Sequence, residues 1–190
     1  MKTLGKGKIK ADERATLLVV DVQQGLFERS IKIYQADQVL KNINALIAAA
    51  RAAGSPVIFI QHSNDNSLAF GSREWQLHPA VQPQAKETII HKRVGNAFEK
   101  TDLHPVLQAH GIQTVVLTGL VTHGCVRATA IGALELGYRV ILVTDGHSNF
   151  NKDAAKLIEK WNHDLGEIGV ELLPTAAVQF HKLYPVEQSG

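Results

Sequence analysis

The only thiol of the chain, Cys125, lies in GIQTVVLTGLVTHGCVRATAIGALELG, residues 111–137. Ile112–Leu117 is apolar and β-branched, over a length that reads as a fully buried strand. Gly119, Gly124 and the small residues between them break that pattern. From Cys125 the apolar spacing becomes helical through Val126, Ala130 and Leu134, with Gly137 as a stop. The cysteine is therefore expected where a strand turns sharply into a helix. That place offers unsatisfied backbone N–H groups and the positive end of a helix dipole, and both favour a thiolate. By residue type alone, a lone cysteine is more often a small buried hydrophobe, and the strand–turn–helix setting brings the two readings level.

Asp21 and Lys92 complete a possible reaction. A Cys125 thiolate would attack a carbonyl carbon. Asp21 would take the thiol proton and later hand it to a leaving amine. Lys92 would steady the thiolate and hold the carboxylate in its working state. Water activated by the same carboxylate would release the acyl group, and backbone N–H groups of the turn would form an oxyanion hole. Residue types and spacing permit this scheme without singling it out, since an aspartate ending a strand is also an ordinary turn or cap residue.

The elements that must position these groups are legible as alternating strands and helices. Residues 1–14 read as a polar arm, and Thr16–Val20 as a buried strand running into Asp21. Asp37–Ala53 has helical spacing with Gly54 as its stop, and the strand from Pro56 ends at Gln61 and His62. Ser63–Gln84 is a long irregular segment, but its Phe70, Trp75 and Leu77 argue for order. A short strand, Thr88–Ile90, precedes His91-Lys92-Arg93. A helix over Asp102–His110, capped by Thr101, leads to the central strand. Tyr138–Val143 reads as a strand ending in Thr144-Asp145-Gly146, Asn151–His163 as a helix, and Val170–Leu173 as a last strand closed by Pro174.

Strands that are apolar throughout predict an α/β fold, with a parallel sheet covered on both faces. Ligands of such sheets bind beyond the carboxyl ends of the strands. Asp21, His62, Lys92, Cys125 and Asp145 all fall at or just after predicted strand ends, so one rim can gather them.

A length of 190 residues with 45% apolar content suits a single domain, 1–190, with a sizeable core. Twenty basic against eighteen acidic residues, spread along the chain, point to neither nucleic acid nor an anionic membrane. No apolar run approaches the roughly 18–20 residues of a membrane helix. The start carries no secretory pattern. One cysteine makes no intramolecular disulfide, so a reducing cytoplasm is expected.

Three stretches together resemble the isochorismatase-like cysteine hydrolase superfamily: LLVVDVQQGLF at 17–27, HKRVGNAFEKTDL at 91–103 and VVLTGLVTHGCVRATAIGALELGYRVILVTDGH at 115–147. The resemblance implies a three-layer αβα fold, here with a mostly parallel sheet of roughly six strands. It implies a catalytic Asp21, Lys92 and Cys125, and a non-proline cis peptide at Leu120–Val121. That peptide would aim the Val121 N–H at the oxyanion beside that of Cys125.

It places Gln23 near the site, as a substrate contact or a structural hydrogen bond. Phe27, Phe70, Trp75 and Thr122 are candidate pocket walls because they sit in loops on the rim. His62 is a further substrate-binding candidate. Arg127 would face a substrate carboxylate or pair with a neighbouring acid.

Isochorismatases proper lack the catalytic cysteine, so Cys125 argues against that activity. Nicotinamidases carry an Asp-x-His metal motif where this chain has Gln61-His-Ser-Asn-Asp. His62 and His78 could meet in space, yet no metal site and no cofactor are expected. His123-Gly-Cys-Val-Arg is nearest the carbamoylsarcosine-type motif, a hint of an amide or carbamoyl substrate. The expectation is a homo-oligomeric, metal-independent cysteine amidohydrolase working through a thioester on a small C–N bonded molecule. The alternatives are a non-catalytic binding or thiol redox-sensing protein on the same fold, and a metal-dependent nicotinamidase.

Overall fold

A computed structural model describes Ile9 and residues 13–182 of the chain. Its strands are β1 (Ala15–Val20), β2 (Val57–His62), β3 (Thr88–Lys92), β4 (Thr114–Leu120), β5 (Arg139–Ser148) and β6 (Glu171–Leu173). Its helices are α1 (Gln24–Phe27), α2 (Ala36–Ala53), α3 (Leu103–Ala109), α4 (Arg127–Glu135) and α5 (Ala154–Glu167). The strands form one parallel sheet in the order β3-β2-β1-β4-β5-β6.

The two-residue period of a strand divides the core in two. Leu18, Val20, Ile58, Ile60, Val115 and Leu117 lie with Leu103 and Leu107 of α3, Ala130 and Ala133 of α4 and Leu165 of α5. Leu17, Val19, Val57, Phe59, Val116 and Ile141 lie with Val39, Ile43, Leu46 and Ile47 of α2. Each such valine, leucine, isoleucine or phenylalanine contributes about 1.5–3 kcal/mol by leaving water. With both sheet faces needing cover, the result is the three-layer αβα arrangement.

Helix α2 ends where expected, at Gly54, whose φ of 73° is left-handed and whose N–H reaches the carbonyls of Ala50 and Arg51. The Leu103 N–H at the start of α3 is held by Thr101 Oγ1 at 3.2 Å. The expected polar arm needs a correction within its described part: Ile9 is buried against the α2 face. Residues 1–8, 10–12 and 183–190 lie outside the described residues.

Strands β3, β4 and β5 run further than their apolar patterns indicate. Both β2 and β3 reach the polar residues His62 and Lys92, which pair with each other in register. Strand β4 continues through Gly119, which sequence pattern takes as a break. A Cβ there would lie 2.1 Å from the Val20 carbonyl oxygen, and φ is 119°, so only glycine lets β4 pass β1 this closely. Gly119→Ala is expected to cost more than about 4 kcal/mol and to yield little folded protein. A melting temperature near that of the unsubstituted protein would contradict the close approach.

Strand β5 likewise does not end at Val143. Leu142 pairs with Leu117 and His147 with Gly119, so residues 143–146 form an irregularity after which pairing resumes.

The chain steps outward from β1 through β2 to β3, then returns to lay β4 on the other side of β1. Strand order therefore reverses between the carboxyl ends of β1 and β4, the crevice where parallel α/β sheets bind ligands. Among the described residues, no helix is long and apolar enough to cross a membrane.

Candidate active site

Asp21 follows β1, His62 ends β2, Lys92 ends β3, and Cys125 lies in the turn after β4. Neighbouring strands are about 4.8 Å apart, so the long arm of Lys92 is what carries a charge from the sheet edge to the crevice. Its Nζ lies 2.8 Å from Asp21 Oδ2, 3.1 Å from Cys125 Sγ, 3.2 Å from the Val94 carbonyl oxygen and 3.4 Å from His62 Nδ1. Asp21 and Lys92 are both 2% exposed. Removing either partner of such a pair strands a buried charge, at about 3–5 kcal/mol. An ammonium has three N–H bonds and meets four acceptors here, so it can lose one and stay fully bonded.

Asp21 is presented by a left-handed backbone (φ 49°), which short polar side chains tolerate best. Its N–H is tied to the Ile60 carbonyl at 3.0 Å, and its own carbonyl accepts the Gln23 N–H at 2.8 Å. Among the described residues Oδ2 has the Lys92 ammonium and Oδ1 is buried with no partner, which leaves lone pairs free to take a proton.

Cys125 belongs to a wide helical turn, Thr122–Val126, kinked at Gly124 (φ −107°, ψ −109°). The break at Gly124 immediately precedes Cys125, and regular α4 follows from Arg127. The peptide entering this turn, Leu120–Val121, is cis. The Val121 carbonyl closes the turn by accepting the N–H groups of Gly124 at 3.0 Å and Val126 at 3.3 Å.

Electrostatics correct the expected thiolate. Burial pushes the Cys125 thiol up to about 12, the Asp21 charge adds to that, and Lys92 only partly opposes it. A helix dipole acts over the first turn of a helix, and its effect is smaller than desolvation of a buried anion. This favours the thiol over the thiolate as the resting group at neutral pH. His62 is held below the usual histidine range by burial first and by Lys92 second, so its ring stays neutral and can accept from Lys92.

The expected pocket residues divide. Gln23 is fully buried, and its Nε2 donates to the carbonyls of His62 (2.9 Å) and Trp75 (2.7 Å). Its Oε1 accepts the His62 N–H at 3.0 Å. All three bonds go to backbone, so the substrate-binding expectation is corrected to a brace between the β1 end, the β2 end and the long loop. Gln23→Leu would leave the His62 N–H and carbonyl without their side-chain partner, while the Trp75 carbonyl keeps Gln61 Nε2 at 3.1 Å, and a loss of about 2–4 kcal/mol is expected in denaturant titration. A variant of unchanged stability with altered substrate affinity would restore the binding role.

Thr122 is 1% exposed, with Oγ1 2.9 Å from His147 Nδ1, so its hydroxyl faces the interior and it too is corrected as a pocket wall. Trp75 is 8% exposed, its ring 4.6 Å from that of Phe70 and 5.1 Å from that of His91. Phe70 is 69% exposed and, with Ser63, His91, Arg93 and Val94, lines a cleft of about 400 Å³ that reaches Lys92. Phe27 is half-buried against the core and lies 4.5 Å from the His78 ring.

Arg127 pairs with no acid among the described residues, and its guanidinium lies over the Trp161 ring at 4.8 Å. Asp145 leaves the rim: its Oδ1 accepts from the Thr175 N–H at 2.7 Å and the Thr175 hydroxyl at 2.8 Å. His147 and Asn149, buried behind the turn, and the half-buried Asn162 carry no expectation from sequence. The β5 irregularity that brings His147 there has no signature in an apolar pattern.

A carboxylate oxygen of Asp21, a ring nitrogen of His62 and the Cys125 sulfur lie within 4.8 Å of one another, a donor set of the metal-binding kind. All three already surround the Lys92 ammonium, which takes the cation position itself. A resident metal does not fit beside it. His78 does not join the group: its Nδ1 accepts the Ala80 N–H at 3.2 Å.

The isochorismatase domain model matches residues 15–161 of the chain. A streptothricin hydrolase of Streptomyces noursei is 35% identical over 141 residues, covering 73% of this chain and 51% of that protein. The chain thus spans about half the length of that relative. A maleamate amidohydrolase of Pseudomonas putida is 31% identical over 157 residues, covering 73% of this chain and 74% of the other. The crystal structure of an isochorismatase from Pseudomonas putida KT2440 superposes with a TM-score of 0.82 at 27% identity, covering 92% of this chain and 93% of that one.

Proposed function

The chain belongs to the isochorismatase-like cysteine hydrolase superfamily, and we infer that it hydrolyses a small amide or carbamoyl compound through a thioester on Cys125. The observation that carries this reading is the convergence of Asp21 Oδ2 and Cys125 Sγ on one Lys92 ammonium, at 2.8 and 3.1 Å. Two relatives of the chain are named as a streptothricin hydrolase and a maleamate amidohydrolase, which supports an amide as the bond cleaved.

The sulfur attacks the substrate carbonyl as its proton passes to Asp21, because a thiol raised to about 12 is not ionised in advance. The C–S bond forms, and the carbonyl electron pair moves to oxygen. Backbone N–H groups of Val121 and Cys125 are the donors proposed for that oxyanion. Asp21 returns the proton to the departing nitrogen, the C–N bond breaks, and a thioester remains. Water then gives a proton to Asp21 and attacks the thioester carbon. The C–S bond breaks, and the sulfur recovers the proton as the acid leaves. Lys92 stays charged throughout, opposing the negative charge passed between sulfur and carboxylate. When sulfur becomes acylated and stops accepting, His62 Nδ1 at 3.4 Å is the spare acceptor.

A thiol redox sensor fits less well, since sensing thiols have depressed pKa values and this one is raised. The test is release of ammonia or amine from a panel of primary amides, N-substituted amides and carbamoyl compounds, maleamate and streptothricin included. Turnover of at least one, lost in Cys125→Ala, is expected. No hydrolysis across the panel would overturn the amide reading.

A further inference from the structure

We propose that His147 is a positioning residue, the hub of a buried hydrogen-bond chain that fixes the turn carrying Cys125. The inference rests on the reading of Cys125 as nucleophile. Thr122, His147 and Asn149 are each 1% exposed or less, and none touches the reacting groups described above.

The chain has one consistent direction. Asn162 Nδ2 faces the Thr144 carbonyl at 3.5 Å, which leaves Asn162 Oδ1 to accept from His147 Nε2 at 2.9 Å. With its proton on Nε2, His147 offers the lone pair of Nδ1, and the Thr122 hydroxyl donates to it at 2.9 Å. Thr122 Oγ1 in turn faces the Asn149 Nδ2–H at 3.5 Å. This assignment needs a neutral ring, and burial supplies it by pushing His147 down to about 4.

The chain ties three elements together: the end of β5, the middle of α5, and the first residue of the turn Thr122–Val126. Thr122 directly follows Val121, whose carbonyl closes that turn onto Gly124 and Val126. Asp21 and Lys92 are anchored separately, at the ends of β1 and β3. The sulfur and its backbone N–H therefore meet them in register only while the turn is held from behind. A misplacement of about 1 Å is enough for a 100-fold loss of rate.

The test uses p-nitrophenyl acetate as acyl donor and follows the p-nitrophenolate burst per folded protein, with melting temperature measured alongside. Thr122→Val keeps the shape and removes the hydroxyl, Thr122→Ser restores it, and His147→Gln shortens the hub. Thr122→Val and His147→Gln are expected to acylate about 10- to 100-fold more slowly at unchanged KM, with Thr122→Ser within about threefold of the parent. Unchanged rates per folded protein, or a change in KM alone, would overturn the proposal and leave these residues as packing. A burst that persists in Cys125→Ala would instead overturn the nucleophile assignment beneath it.

Discussion

Cys125→Ala is expected to lower kcat by at least about 10,000-fold while the protein stays folded. The substitution removes a single sulfur atom, so it leaves little cavity. Lys92 also keeps Asp21, the Val94 carbonyl and His62 as acceptors when the sulfur is gone. The mechanism has no second nucleophile among these groups, because the Asp21 carboxylate is the proton carrier and Lys92 is held as a cation. The check is amide turnover and thermal melting on the same preparation. Residual turnover within 100-fold of the parent would remove the cysteine from the reaction.

Asp21→Asn carries the second large effect, with two readouts moving in opposite directions. Turnover is expected to fall by at least about 1,000-fold, since an amide cannot accept the thiol proton. The thiol is expected to become more reactive towards iodoacetamide at neutral pH. The sign follows from the charges: Asp21 raises the thiol, so its neutralisation lowers the thiol from about 12, and each unit gained gives about tenfold more thiolate. Lys92→Met should act the other way on the thiol, because it removes the cation that opposes the shift. Both substitutions break a buried pair, so rates are referred to the folded fraction. Slower alkylation in Asp21→Asn than in the parent would show that this carboxylate does not hold the proton on sulfur.

The α/β layering was legible because strands buried on both faces read as unbroken apolar runs, as in Leu17–Val20 and Val57–Ile60. Their ends were not, because what extends them is tertiary. Gly119 reads as a break, yet it is required by the approach of Val20, and the strand passes through it. Thr144-Asp145-Gly146 reads as a turn, yet it is the irregularity that returns His147 to the sheet.

Within the site, the resemblance supplied Asp21, Lys92 and Cys125, and the geometry brings all three together at one ammonium. Sequence favours a thiolate because a dipole argument is local, whereas the desolvation and the Asp21 charge that raise the thiol come from strands distant in the chain. Gln23 and Thr122 carried motif positions without their partners, and those partners, backbone at residues 62 and 75 and the ring of His147, face them away from a substrate.

The most direct test of the central claim is mass spectrometry of the protein quenched in acid during its first turnovers with p-nitrophenyl acetate. One acetyl group is expected, located on Cys125 and absent from Cys125→Ala. Nitrophenolate release with the acetyl group on another residue, or release undiminished in Cys125→Ala, would contradict it.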